Sequence, residues 1–317
     1  SITLADYVKS LYTGTQGANN IYHHTSTLTN GAGDNSYRYA GASDAVNNYV
    51  CFGSNVTPCP TDNLYRIIGV FGDKVKLIKS DYATTTLLGA DGDYSRMYTA
   101  NGWNNSNYKG NNLANIAGYT WNYKNDTSIN NGYGSNTWST SLLNKTNLNK
   151  NFITNIGADW AAKIADTTWK VGGNTWANIQ SQPAKTAYQN EIVSPVTTNS
   201  QDNKTEYSAK IGLMYVSEYY YAASEDYWTL PGWSSSGNDY RKSKNDNWLY
   251  TGLYECTISR RSDDSNLAFA VRDAGDLGGG AVDSSYGSAV RPSFSLLSSI
   301  KFTSGEGTAV NPIRVNL

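Results

Sequence analysis

Runs of apolar residues predict strands near both ends of the chain. Residues 65–71 are apolar and rich in β-branched and aromatic types, as expected of a buried strand. After a short turn, Lys alternates with apolar residues over 74–79, which predicts a hairpin partner with one face in water. Residues 210–216 predict another buried strand. Residues 291–296 predict a strand at a sheet edge, because Pro292 has no N–H to donate.

Helical spacing occurs at the start and in the middle of the chain. Leu4 and Val8 follow Thr3, a good N-cap residue, and predict a short leading helix. Residues 138–156 carry apolar positions that fit one broad helical face. These positions are Leu142, Leu143, Leu148, Phe152, Ile153 and Ile156. We expect two short helices with a break near residues 146–147, and a continuation of the helical layer over 160–169.

Turn-forming Asn, Gly and Ser dominate residues 18–62 and 88–136, which predict long ordered loops. With helices in the middle and strands at both ends, we expect an α+β protein whose early and late strands meet in one mixed sheet. In this interpretation residues 1–62 form an N-terminal helix and a loop-rich segment, packed on a main domain of residues 63–317.

Residues 256–290 differ from their apolar and aromatic flanks. Most of them have short polar side chains, and Asp, Arg and Gly are frequent. Their apolar residues show little of the regular spacing that forms a core. Phe269 and Val271 alternate as a half-buried strand and are predicted to be framework, so Ala270 and Arg272 are expected to face the other way. Residues 278–280 are three glycines, which predict a flexible or tightly turned loop.

Composition favours a secreted or surface-displayed protein. Charged residues make up 16% of the 317 residues, against roughly 25% in typical soluble proteins. The net charge is −1 and the basic residues are scattered, which argues against nucleic acid as the main partner. No apolar run approaches the roughly 20 residues that span a bilayer, so we expect no membrane insertion of this chain.

The cysteines and histidines point to structure rather than to a transition metal. Cys51 and Cys59 lie on either side of a turn-forming segment, which predicts a local disulfide, with free thiols as the alternative. Cys256 is then unpaired. His23 and His24 are adjacent, which is poor geometry for a shared zinc site.

Carboxylates leave two further possibilities open. Asp91, Asp93 and residues 263–264 offer oxygen ligands for calcium, although an Asp-Gly-Asp sequence is more often a plain turn; otherwise no cofactor is expected. The sequence has no Gly-x-Ser-x-Gly elbow, and nucleophilic catalysis is not expected. Paired carboxylates such as Glu218 with Glu225 would suit a glycosidase, and chance pairing is the alternative.

Several segments match a known family. Residues 65–70, 138–148, 211–216, 247–250 and 290–294 together resemble C-type-lectin-fold proteins of gut Firmicutes and their phages, including variable proteins of diversity-generating retroelements. In that family, adenine-directed mutagenic reverse transcription rewrites codons of a C-terminal region, and the fold displays the encoded side chains. The resemblance implies a C-type-lectin-like domain with residues 256–290 as its variable region.

The genetic code gives a partial test of this resemblance. Residues 256–300 contain no Lys, Glu, Gln, Trp or Met, which asparagine codons with both adenines randomised never encode. Residues 17–73 lack the same five types, so composition is compatible with diversification without being specific to it.

The resemblance implies a non-enzymatic, surface-displayed binding protein of the adhesin or receptor-binding type, found outside the cell or on a phage virion. Its ligand would be an unknown protein or glycan, with Arg and Tyr as favoured interface anchors. The expected contact residues are Arg260, Arg261, Asp263, Asp264, Asn266, Ala270, Arg272, Asp273, Asp276, Asp283 and Tyr286.

Alternatives remain for both the site and the function. The acids and arginines of the segment would otherwise pair with one another on the surface. Residues 219–221, Trp228 and Trp233 either rim the site or pack in the core. The competing functions are a structural pilus or virion surface subunit and a carbohydrate-active enzyme with paired carboxylates.

Overall fold

The structure, a computed structural model, describes residues 1–98, 108, 116–125, 132–195, 204–282 and 287–316. Its strands are β1 (Ile21–His23), β2 (Tyr37–Tyr39), β3 (Tyr49–Cys51), β4 (Leu64–Phe71), β5 (Lys74–Lys79), β6 (Tyr94–Met97), β7 (Ala117–Tyr119), β8 (Thr167–Lys170), β9 (Glu206–Ala209), β10 (Glu255–Arg260), β11 (Leu267–Val271), β12 (Leu277–Ala281), β13 (Ser293–Ser295), β14 (Lys301–Ser304) and β15 (Arg314–Asn316).

Short helices connect these strands. They are α1 (Leu4–Ser10), α2 (Thr85–Leu88), α3 (the π-helix Leu143–Phe152, continued by the α-helical Ile153–Asn155), α4 (Ala158–Ala161), α5 (Trp176–Ser181), α6 (Ala184–Tyr188, continued by the π-helix Gln189–Val193) and α7 (Val216–Ala222). Single 3₁₀ segments occur at Ala18–Asn20, Thr61–Asn63, Trp138–Thr140, Glu225–Tyr227 and Tyr240–Asp246. The chain is thus an α+β protein with several antiparallel sheets. Within the described ranges, no helix is long and apolar enough to cross a bilayer.

One sheet joins the start of the chain to its end. Its strand order is β1-β2-β4-β5-β13, and β3 pairs with β4. Strand β13 pairs with β5 in the register Phe294↔Leu77 and lies at the end of this order, as Pro292 predicts. The meeting of early and late strands is therefore confirmed. The pairings among these strands are all antiparallel, so the prediction of a mixed sheet is wrong.

The first 62 residues contribute to the sheet that contains β4 and β5. They supply β1, β2 and β3, each three residues long, in a stretch predicted to be loop. Such short strands give no visible alternation. Helix α1 begins after Thr3, whose side chain accepts the N–H of Asp6, and Thr3 also bridges Lys301. The predicted disulfide between Cys51 and Cys59 is confirmed.

Both faces of the β4–β5 hairpin are covered, so the predicted wet face of β5 is wrong. Lys76 is 6% exposed and Lys79 is 1% exposed. The Nζ of Lys76 lies 2.8 Å from Oε2 of Glu218, and the Nζ of Lys79 lies 2.8 Å from Oδ1 of Asp62. These partners explain how charged side chains occupy positions inside the protein.

The middle of the chain differs from the prediction in three places. Helix α3 continues without a break, because the Asn147 amide bonds to Leu88 and Asp93 instead of competing for its own helix backbone. Strand β8, paired with β9, replaces part of the predicted helix. The predicted strand over residues 210–216 does not form, although residues 211–216 are buried: Gly212 makes a single bridge to β13, and α7 then begins. A short apolar run in the sequence fits a buried strand and a buried irregular segment equally well.

Candidate ligand-binding cleft

Residues 256–290 contribute to a second, three-stranded antiparallel sheet in the order β10-β11-β12. Phe269 and Val271 are buried, as predicted for framework. Ala270, expected to face a ligand, is also buried, and it lines a small cavity together with Tyr119, Trp121 and Tyr254. The glycines 278–280 lie within β12, so their prediction as a loop is wrong.

A buried ion pair ties the two flanks of this sheet together. The Nε of Arg291 lies 3.0 Å from Oε2 of Glu255, and its Nη2 lies 2.9 Å from Oε1. The same Nη2 donates to the carbonyl oxygen of Leu249. Both charged side chains are almost completely buried. The segments before and after residues 256–290 are thus fixed to each other by a forked, charge-assisted contact.

A buried asparagine fixes the turn between β10 and β11. The Nδ2 of Asn136 donates to the carbonyl oxygens of Arg261, Asp264 and Leu267, at 3.0, 3.0 and 2.8 Å. Within the turn, Oδ1 of Asp264 accepts the N–H of Asn266. Asp264 and Asn266 are half-buried and hold the turn, so their observed contacts are structural.

The three glycines of β12 leave room for long side chains to lie across the strand. A Cβ on Gly278 would lie 2.7 Å from Cδ of Arg272, and a Cβ on Gly280 would lie 2.7 Å from the Tyr254 hydroxyl. A Cβ on Gly279 would lie 3.0 Å from Cδ of Arg261. The glycine run is therefore explained by close side-chain approach to a strand.

A concave surface of about 380 Å³ forms over this strand. It is lined by Trp176, Trp233, Tyr254, Arg272, Asp273, Gly278 and Gly279. The rings of Trp176 and Trp233 lie 5.7 Å apart, and Trp176 stacks on the buried ring of Phe269 at 6.3 Å. The guanidinium of Arg261 lies 5.8 Å from the Trp176 ring. We call this surface the β12 cleft.

Ion pairs hold the arginines around the β12 cleft. Arg261 makes a forked contact with Asp263, with both N–O distances at 3.0 Å. The Nε atoms of Arg272 and Arg241 lie 3.6 and 3.7 Å from the carboxylate of Asp276. Asp276 is fully buried, and burial raises its pKa above the usual value against the effect of both arginines. Asp276 thus lies inside the protein beneath the two arginines and has no exposed surface for a ligand.

The predicted contact residues thus divide into two groups. Arg272 and Asp273 line the β12 cleft, and Arg261 and Asp263 lie beside it. Arg260 does not lie at the β12 cleft. It is 1% exposed and donates to backbone carbonyl oxygens of the neighbouring 172–174 loop and of Lys204.

For Arg260, Ala270 and Asp276 the expected exposure is wrong, because the sheet covers them. Asp283 and Tyr286 lie outside the described residues. Of the aromatic residues considered for the rim of the site, Trp233 lines the β12 cleft, whereas residues 219–221 and Trp228 are buried in the core.

The carboxylates considered for calcium have other partners. Oδ1 of Asp93 accepts the N–H groups of residues 123–124, and Oδ2 accepts those of residues 142–143 at the start of α3. Asp93 is fully buried and acts as a cap for backbone donors. In the part of the chain that the structure describes, no group of three or more His, Cys, Asp and Glu side chains is arranged to hold a metal ion.

Sequence reasoning missed two aromatic residues of the β12 cleft, Trp176 and Tyr254. Trp176 lies at the start of α5, about eighty residues before residues 256–290, and its backbone N–H reaches Oδ1 of Asp263 at 3.4 Å. Nothing local in the sequence links Trp176 to that segment. Comparison with family models, with curated proteins and with solved structures found no match to this chain.

Proposed function

We propose that this chain is a surface-displayed binding domain of C-type-lectin-like type, which recognises a protein or glycan ligand through the β12 cleft. The observation that supports this most is the pairing of half-exposed Trp176 and Trp233 with Arg272 around a concave surface. Tryptophan and arginine are enriched in binding hot spots, because tryptophan buries a large ring with few torsions to freeze and arginine makes forked hydrogen bonds. The proposed chemistry is recognition, without turnover.

The proposal includes exchangeable side chains on a fixed sheet. Arg261, Asp263, Arg272 and Asp273 are the exchangeable positions beside the cleft, and the Arg291–Glu255 pair belongs to the scaffold. Support comes from the burial difference between these groups and from the location of the segment between two tied flanks. A near-copy of the DNA that encodes residues 256–294, beside a reverse transcriptase gene and differing only at adenines, would support diversification. An intact gene neighbourhood without such a copy would contradict it.

Binding is tested by selecting ligands on the full chain with two defined panels, a glycan microarray and a random-peptide phage library. Ligands selected on the parent should lose at least tenfold in affinity with Trp233→Ala or Arg272→Ala. Trp160→Ala is the matched control, because Trp160 is also half-buried but packs against Phe52 away from the cleft. Equal binding by all variants would remove the site assignment. Concentration-dependent self-assembly lost with Trp233→Ala would instead favour a structural subunit, and hydrolysis of an arrayed glycan would favour an enzyme.

A further inference from the structure

A second cavity lies on another part of the molecule, among β2, β5, β8, α6 and α7, and shares no residue with the β12 cleft. Its volume is about 210 Å³. Thr168 and Ile192 lie at its accessible side, and Arg38, Lys76 and Ser217 line its buried wall. A cavity of about 150 Å³ is enough to hold a benzene ring in a protein, so this one accepts a small ring-sized molecule.

Two hydrogen-bond donors on the buried wall lack partners. The Nε and Nη2 of Arg38 donate to Ser36 and Asp34 at 2.9 and 3.0 Å, but its Nη1 has no partner among the described residues. The hydroxyl of Ser217, in the first turn of α7, likewise has none within the described ranges. Arg38 is 3% exposed and Ser217 is 1% exposed. A buried polar group without a partner costs about 1–3 kcal/mol, so an oxygen acceptor at this place would be stabilised.

The charged residues that line the cavity leave room for at most one added negative charge. Arg38, Lys76 and Lys170 line it, together with the carboxylates of Asp34 and Glu218, which leaves one cation in excess. Arg38 is paired with Asp34 and Lys76 with Glu218, so neither pair needs a ligand for its charge. The third cation, Lys170, is half-buried and pairs with Glu206, whose side chain is more exposed and does not line the cavity. A doubly charged phosphate would find too little positive charge here.

The remaining walls are apolar and aromatic. The cavity is also lined by the rings of Phe71, Tyr188 and Tyr215 and by the side chain of Ile192. The guanidinium of Arg38 lies 4.8 Å from the Phe71 ring and 5.5 Å from the Tyr188 ring. An apolar ring would pack against these walls while its acid group reaches the open donors.

We propose that this cavity binds a small monocarboxylate with an apolar or aromatic body. The carboxylate oxygens accept from Nη1 of Arg38 and from the hydroxyl of Ser217, and the body lies against Phe71, Tyr188 and Ile192. Charge-assisted bonds to a guanidinium are stronger than neutral ones, which distinguishes a carboxylate from a carboxamide of the same shape. The proposal does not depend on the function assigned to the β12 cleft.

The test is titration of the full chain with benzoate, followed by calorimetry or ligand-observed NMR, with benzamide, benzylamine and inorganic phosphate as comparison probes. Benzoate should bind at least tenfold more tightly than each of the other three. Ile192→Trp should fill the cavity and abolish benzoate binding. Val193→Trp is the matched control, since Val193 is 53% exposed and does not line the cavity, and it should bind like the parent.

A second variant removes one donor without filling space. Ser217→Ala should weaken benzoate binding roughly three- to tenfold, the amount expected for one hydrogen bond. Circular dichroism and the unfolding midpoint establish that each variant is folded. The proposal is overturned if benzoate does not bind the parent chain, if benzamide or benzylamine binds as tightly, or if folded Ile192→Trp keeps benzoate affinity.

Discussion

Two arginines of one short segment have opposite surroundings. Arg260 ends β10, is 1% exposed and donates to backbone carbonyl oxygens. Arg272 follows β11, has a side chain that is 43% exposed and lines the β12 cleft. Residue type alone does not separate them, since both were expected at a ligand interface. The difference shows that neighbouring elements, here the 172–174 loop over Arg260, decide which side chains of the segment remain accessible.

The same contrast applies to the acids. Glu255 and Asp276 are buried and hold arginines in place, whereas Asp263 and Asp273 are accessible beside the cleft. A buried charged side chain that loses its partner destabilises the fold, whereas an exposed one can be replaced with little change in stability. The segment is therefore a mixture of fixed and replaceable positions, and this mixture predicts very unequal effects of substitution.

The largest effect is expected at the buried ion pair. Arg291→Met leaves Glu255 buried without its partner and should lower the free energy of unfolding by about 3–5 kcal/mol in urea titrations. The double variant Arg291→Met/Glu255→Met removes both charges and should recover much of this loss. If the double variant is as unstable as the single one, packing rather than charge pairing explains the role of Arg291.

A smaller effect is expected where the 172–174 loop covers Arg260. Gly173 has φ +77°, and a Cβ there would lie 1.9 Å from the Arg260 carbonyl oxygen. Gly173→Ala should therefore cost about 2–3 kcal/mol of stability. Gly237 has the same φ with no atom within 4 Å, so Gly237→Ala measures the backbone strain alone and should cost about 1 kcal/mol. If both variants lose similar stability, the close contact between the loop and the Arg260 carbonyl oxygen adds nothing to the cost of backbone strain.

The smallest expected effects on stability are those of replacing Arg260 and Arg272. Arg260→Ala removes the donor to the buried carbonyl oxygen of Gly172 and to the more exposed one of Lys204, and should cost about 1–3 kcal/mol, measured by chemical denaturation. Arg272→Ala removes an accessible, singly paired side chain and should change stability by about 0.5 kcal/mol. The reverse ranking would mean that Arg272 is framework and that the β12 cleft is misassigned.

Strong local signals in the sequence were sufficient for part of the fold. Strands β4, β5 and β13, helix α1 and the Cys51–Cys59 disulfide follow from apolar runs, a capping residue and cysteine spacing. Strands β1, β2 and β3 were missed, because three residues between turns carry no period. The face of β5 was misjudged because Lys76 and Lys79 find buried partners far away in the sequence.

The site could be predicted only in outline. The polar composition of residues 256–290 pointed to the hairpin that lines the β12 cleft, and the alternation of Phe269 and Val271 predicted which of its residues are buried. Which polar side chains are accessible depends on distant segments that no local pattern reveals. Trp176 and the 172–174 loop both come from such a segment, and the glycines of β12 make sense only with the side chains that cross them.

The most direct test of the account compares two libraries of the full chain. In one, Arg261, Asp263, Arg272 and Asp273 are randomised; in the other, Glu255, Arg260, Asp276 and Arg291 are randomised. The measurement is the fraction of clones whose unfolding midpoint lies within about 5 °C of the parent, since surface substitutions change stability little. The account predicts that most clones of the first library and few of the second pass. Equal fractions would contradict the division between replaceable and fixed positions.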